Sequence, residues 1–333
     1  MKKFTTITCA MMMAFMMTAC GGSRDNHGMT ETEQVLQTEL TEEVQTPATV
    51  MVEALNGASE VINVEVPYNP QVIVTLDAAS TDILSNIGVA DRIVGTTTPE
   101  AYLADYVDGA ANVGTAKTFD VEEIMELQPD VIFMSGRGSE YYDTLVEIAP
   151  VVRLSVNGNV VEGTYQNAMK MASIFGMEEE MSAKLSAYDE RIAAISAVAE
   201  DKSAIIGLCT SGAFNLLGDD GRCSILGNEL GFRNIGVDAD IDTSSHGNEA
   251  SFEFVVDKAP DYIFVLDRDA ATNAEGAQLA KDIMENELIM STDAYKNGNM
   301  IIMENPSVWY KAEGGFTALG IMLADIENAL FAE

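Results

Sequence analysis

Three arginines stand at spacings that suit them to holding an anion. Arg137 closes the run PDVIFMSGR and Arg268 closes PDYIFVLDR, each eight residues after its proline (Pro129 and Pro260), while Arg222 ends the loop GDDGR. A guanidinium is permanently charged, and its planar fork matches oxygen-rich anions. At an effective dielectric near 20, one close charge pair gives about 4 kcal/mol before desolvation, so three on one point would hold a trianion tightly. The cluster is conspicuous because the chain carries 53 acidic residues against 18 basic ones, with a formal net charge of -35. That balance repels nucleic acid and anionic lipid and argues against both as partners. The competing role for each arginine is pairing with a neighbouring acid: Asp219, Asp267 or Asp269.

Four further residues belong with them. His246 sits in the polar loop DTSSHGNEAS ahead of a helix, and Tyr310 lies in NPSVWYKAEGG after the strand MIIME. Alone, the first reads as a solvated histidine, and the second, beside Trp309, as packing or recognition in equal measure. Glu122 and Glu253 each precede their proline by seven residues, so the pairing of the two PD runs extends to an acid upstream. No Gly-rich phosphate loop, nucleophile elbow, HExxH or paired-cysteine zinc motif occurs, and Ser135 and Ser211 lack a histidine base at recognisable spacing. The chain reads as a binder, not an enzyme, with no resident cofactor.

The elements that must position these groups alternate. VIVTLD, RIVGTT, VIFMS and VVRLS read as strands separated by the helices STDILSNIG, VEEIMELQ and YYDTLVEIA, which predicts a parallel sheet flanked by helices. Ahead of them, TVMVEAL and ASEVINVEVP flank Asn56-Gly57 and read as a β-hairpin. Residues 164–199 carry no proline and keep helical spacing, which predicts a short helix, an interruption at Gly176 and a long helix to about Ala199. From SAIIGLCTS the alternation resumes, and ILSNIGVADRIVG is echoed by ILGNELGFRNIG. The fold class is therefore α/β: two Rossmann-like lobes, residues 48–163 and 200–333, joined by a single long α-helix within 164–199. In an open parallel sheet, ligands bind beyond the carboxyl ends of the strands, which places the arginines at a cleft between the lobes.

The first 47 residues differ. Lys2 and Lys3 precede an apolar run from Phe4 to Met17, too short for a membrane span and suited to a cleaved export signal over residues 1–19. Met17-Thr18-Ala19-Cys20 resembles the lipobox of bacterial lipoproteins, with methionine in place of the usual leucine, which makes Cys20 the acylated residue. Residues 20–47 are polar and acidic and cannot bury enough surface to order themselves. They read as a disordered tether that reaches about 90 Å when stretched. Cys209 and Cys223 match no metal spacing; they could pair in an oxidising compartment, and the balance is slightly towards reduced packing residues.

From about Pro70 onward the chain resembles the bacterial substrate-binding proteins that serve iron-siderophore, haem and cobalamin importers. The motifs are VIVTLDAASTDILSNIGVADRIVG, VEEIMELQPDVIFMSGR, SFEFVVDKAPDYIFVLDRDAA and WYKAEGGFTA. Within that family it is similar to binders of ferric catecholate siderophores of the enterobactin and petrobactin kind. The resemblance implies a monomer, lipid-anchored through Cys20 and facing the exterior or a periplasm, that passes a ferric siderophore to an ABC permease and its ATPase. Haem, cobalamin or another metal chelate is the alternative cargo. It further implies that Arg137, Arg222 and Arg268 hold the anionic complex and that His246 and Tyr310 coordinate iron left open by a tetradentate siderophore. Glu122 and Glu253 would dock on the permease, one from each lobe.

Overall fold

The computed structural model describes residues 48–156, 158–237 and 247–331; the export signal, Cys20, the tether and His246 lie outside them. Strands β1 (Thr49–Leu55) and β2 (Val61–Pro67) pair antiparallel, as the alternation predicts. Their connection is longer than a two-residue Asn-Gly turn. Asn56 Oδ1 accepts the backbone N–H groups of Ala58 (3.0 Å) and Glu60 (2.9 Å), and Ser59 takes φ +64°. The asparagine side chain thus organises a wider loop alongside the main-chain bonds from Asn56 N–H to the Glu60 carbonyl (2.9 Å) and from Ser59 N–H to the Asn56 carbonyl (3.0 Å).

The next five strands are β3 (Ile73–Thr75), β4 (Ile93–Thr96), β5 (Ala111–Asn112), β6 (Val131–Met134) and β7 (Val151–Arg153). They form a parallel sheet in the order β5-β4-β3-β6-β7. Helix α1 (Ala78–Ile87) follows β3, and its N-cap Asp77 accepts the Ser80 N–H at 2.9 Å. Helix α2 (Val121–Glu126) is capped in the same way by Asp120 and leads to β6.

Between the lobes the expected long helix is a broken one. Helix α3 (Val160–Phe175) starts earlier than expected and packs Ala168, Met171, Ile174 and Phe175 into the first lobe's core. It ends at Gly176, whose φ of +67° a side chain tolerates poorly. Helix α4 (Glu178–Leu185) and helix α5 (Asp189–Ala199) are then separated by a 3₁₀ turn, Ser186–Tyr188. There Ser186 Oγ donates to the Ser182 carbonyl at 3.0 Å, a back-bond that loosens and bends the ladder. Met181 and Leu185 lie in the first core and Ile195 and Ala199 in the second, so the α4–α5 segment makes the crossing.

The second lobe departs from the expected parallel sheet. It contains β8 (Ser203–Thr210), β9 (Ala213–Leu216), β10 (Arg233–Asn234), β11 (Asn248–Glu249), β12 (Tyr262–Asp267) and β13 (Met300–Ile302). The order is β11-β9-β8-β12-β13, with β10 beside the start of β8 and with β9 and β11 antiparallel to their partners. The cause is local: Ser211 (φ +53°) and Gly212 (φ +80°) both take positive φ, so the chain reverses at once after β8. With that hairpin set aside, the lobes match strand for strand. β4-β3-β6-β7 corresponds to β10-β8-β12-β13, all parallel.

The match reaches single atoms. Asp130 Oδ2 accepts the N–H groups of Gln71 (2.7 Å) and Val72 (2.9 Å) ahead of β3. Asp261 Oδ2 accepts the N–H (2.8 Å) and hydroxyl (2.7 Å) of Ser203 at the start of β8. Helices α6 (Phe252–Lys258), α7 (Arg268–Ala271) and α8 (Pro306–Lys311) follow in the second lobe, then α9 (Phe316–Phe331). Phe316 enters the first core, while Leu319, Met322, Leu323 and Ile326 fill the second. A second helix therefore packs against both cores.

Candidate functional site

Each functional side chain sits where a strand gives out. Arg137 lies in the loop after β6, Arg222 in the loop after β9, and Arg268 opens α7 directly after β12. Tyr310 is on α8, which starts after β13 with Pro306 in its first turn, where the missing N–H costs nothing.

All three arginines meet at Tyr310. Arg137 Nη2 donates to its backbone carbonyl at 3.3 Å. Arg268 Nε donates to its hydroxyl at 3.1 Å. The Arg222 guanidinium lies over its ring, 4.1 Å from the centroid, well inside cation–π range. Arg268 is also the arginine that takes an acid: Nη1 is 3.3 Å from Asp269 Oδ1 and donates to Thr210 Oγ1 at 3.0 Å. Arg137 and Arg222 have no carboxylate at ion-pair distance among the described residues.

Arg222 is left electrostatically unsatisfied. Its Nε is out of reach of solvent and has no hydrogen-bond partner among the described residues. Burial holds its guanidinium below the usual arginine range; Tyr310 opposes that, and the positive charge of Arg137 adds to it. Two like charges share one space, and although Glu313 attracts both, neither arginine has a carboxylate at ion-pair distance among the described residues. A buried, unpaired cation is costly, and an anion placed between the pair would remove the cost.

That space is a cavity of about 290 Å³, whose lining includes Arg137, Arg222, Tyr310, Lys311, Asp77 and Glu313. It sits at the small end of the range for small-molecule sites. Arg268 stands behind Tyr310, outside the lining. The lining also includes groups that motif reasoning passed over. Lys311 pairs with Glu100 across the lobes at 3.3 Å. Asp77 is buried, which pushes its carboxyl up, while its bonds to Ser80 and the charge of Arg137 pull it down. Glu313 is pushed up to about 7 by burial, opposed by Arg222, and its Oε1 is inaccessible and unbonded among the described residues. In the sequence Asp77 read only as the end of the strand VIVTLD. Glu313 carried no signal beyond standing three residues after Tyr310.

Arg153, also at a strand end, is no part of this cluster. It is buried and donates to the carbonyls of Ser135 and Asn56, so it ties the β6 loop to the hairpin. A larger surface recess of about 710 Å³ lies between α5 and α9, but Arg191 there is neutralised by Glu327 at 2.7 Å. Glu122 and Glu253 are both exposed and both occupy the second position of their helices, after the caps Asp120 and Ser251. Cys209 and Cys223 are buried free thiols, pushed up to about 12 and beyond by burial. Among the described residues, no group of three or more His, Cys, Asp or Glu side chains could hold a metal ion, and no helix is long and apolar enough to cross a membrane.

Known proteins share this design. A family model described as periplasmic binding protein matches residues 73–306. The petrobactin-binding protein YclQ of Bacillus subtilis is 28% identical over 99% of both chains. Its crystal structure superposes with a TM-score of 0.77, covering 86% of this chain and 100% of that one. The iron uptake ABC transporter substrate-binding protein PiuA of Streptococcus pneumoniae is 32% identical, with a TM-score of 0.77 and coverage of 86% and 100%. The periplasmic catecholate-siderophore binding protein VctP of Vibrio cholerae is 26% identical, with a TM-score of 0.75 and coverage of 84% and 99%.

Proposed function

The chain belongs to the periplasmic binding protein family, and we propose that within it this protein captures a ferric siderophore, of the catecholate kind, and delivers it to an ABC importer. The observation that carries the reading is the Arg137–Arg222 pair, two cationic side chains in one cavity without a carboxylate partner among the described residues. A catecholate complex of ferric iron is an oxygen-rich polyanion, the class of ligand that guanidinium forks hold best. Arg268 supports the site from behind by fixing the Tyr310 hydroxyl. Tyr310 would then meet iron directly where a siderophore leaves coordination sites open, with His246 as the second donor. Membership of that family supports reading the protein as a carrier and not an enzyme.

Export and acylation at Cys20 would keep the carrier at the membrane that holds its permease and ATPase, and a monomer suffices for that role. Glu122 and Glu253 are proposed as its contacts with the permease, since each marks the same helix position in one lobe.

Trp309 makes the test direct. It is buried beside Tyr310, with its indole N–H donated to Asp325 at 2.9 Å. Titration with ferric catecholates, ferric hydroxamates, haem and cobalamin should give saturable quenching with the catecholates at nanomolar levels, about -12 kcal/mol. Quenching by haem or cobalamin alone would move the cargo to another chelate, and no specific response would remove the iron reading.

A further inference from the structure

Beneath the arginine cavity lies a smaller recess of about 40 Å³, continuous with it through Asp77, Ser135, Ser155 and Glu313 and closed below by Asn167 and Met171. Its lining contains two carboxylates and three serines but no lysine or arginine. The cations of the cleft therefore all lie on the cavity side, while Asp77 and Glu313 border both spaces.

We infer that this recess is a second subsite, in which Glu313 receives a protonated amine carried on an arm of the same chelate whose anionic centre the arginines hold. The inference rests on the siderophore reading above and adds to it the chemistry of the rest of the ligand.

The other polar groups in the recess are already committed. Asp77 accepts the Ser80 N–H at 2.9 Å and the Ser80 hydroxyl at 2.7 Å. Asn167 donates to the Ser155 carbonyl at 3.2 Å. Glu313 is different: as a residue it is only partly covered, yet its Oε1 is beyond solvent and has no hydrogen-bond partner among the described residues. The nearest cation does not claim it, because Arg222 lies against the Tyr310 ring and forms no ion pair with it. A buried acceptor of that kind is satisfied by a donor that arrives with the ligand. The recess holds no more than a few waters, which leaves room for an ammonium head but not for a second aromatic ring. Charge selects the same group, since a second anionic arm would face Asp77 and Glu313 with no cation in the lining.

The probes are two ferric complexes with identical catechol groups on one linear polyamine, the first with its amines free and the second with them N-acetylated. Both are titrated into the full chain by Trp309 quenching. The free amine should bind about 10–100-fold tighter, as a hydrogen bond to a charged group implies. In Glu313→Gln, a near-isosteric change whose folding is checked by its melting curve, the ratio of the two affinities should fall to about one. Equal wild-type affinities, or a preference that survives Glu313→Gln, would overturn the subsite while leaving the siderophore reading intact. Binding of neither complex would remove both.

Discussion

Arg222 shows function and stability pulling apart in one side chain. Its guanidinium is held among buried groups with an unbonded Nε and a like charge nearby, so the empty protein is strained by keeping it. Arg222→Met should leave stability within about 1 kcal/mol, since removing the half-buried charge offsets the loss of its contact with the Tyr310 ring and its attraction to Glu313. The same change should weaken a ferric catecholate about 10–100-fold. Denaturation and titration of one variant read both, and a larger loss of stability in Arg222→Met would mean the arginine has a partner that matters to folding. Glu313 gives a pH signature. Its carboxyl moves from an ordinary 4.5 to about 7, so the folded state keeps a proton that the unfolded chain releases. Stability is then lost as pH rises from about 4.5 to about 7 and is level above, by on the order of 3 kcal/mol. Asp77 and Asp82 are also pushed up by burial and act in the same sense. The comparison must therefore be between wild type and Glu313→Gln, the variant gaining on wild type between pH 5 and pH 8 in urea melts.

At the scale of elements, the joint between α1 and α9 decides how the lobes are held. Asp82 of α1 accepts the N–H groups of Thr317 (2.9 Å) and Ala318 (2.8 Å), so one helix caps another across 235 residues of chain. Gly315 makes that approach possible, because a Cβ there would stand 2.4 Å from Asp82 Oδ2. Asp82→Ala strands two N–H groups and should cost about 3 kcal/mol. Gly315→Ala should cost about 2 kcal/mol or more by forcing the carboxylate away. Because both act on one contact, the double variant should cost less than the two singles together, and strict additivity in a denaturation cycle would dismiss the joint. This joint is also where sequence reading stopped. The strand–helix order and the matched arginines were legible because each rests on a contiguous apolar run with a PD–Arg frame around it. Asp82 looked like any polar residue of STDILSNIG, since its partners are remote. The Ser211-Gly212 reversal was written in the chain as a two-residue turn, yet it was read as the end of a strand. The 3₁₀ break at Ser186–Tyr188 depends on a serine back-bond that helical spacing does not reveal. Glu313 gains its meaning only from what buries it.

For the whole molecule, the proposed docking on a permease can be tested through the duplicated frame. Glu122 and Glu253 follow helix caps at matching positions, precede matching PD runs, and are exposed on lobes that share one four-stranded pattern. A transporter with two equivalent halves would meet them as a pair. Each stands in the first turn of its helix, where an acid is favoured, so charge reversal at either should cost about 1 kcal/mol, too little to unfold the protein. It should also leave ferric siderophore affinity unchanged, because neither residue lines the cavity. Uptake by cells should fall about 10-fold in Glu122→Lys or Glu253→Lys and about 100-fold in the double variant, as expected when separate charge contacts at one interface are lost. The chain is so acidic that added positive charge alone could alter encounter with a membrane complex through its long-range field. Glu126→Lys, on the same helix as Glu122 and also exposed, controls for that. If Glu126→Lys lowers uptake as much as Glu122→Lys, the effect belongs to net charge and the paired docking is wrong. If only the matched pair responds, the repeat that built the two lobes also built the contact with the permease.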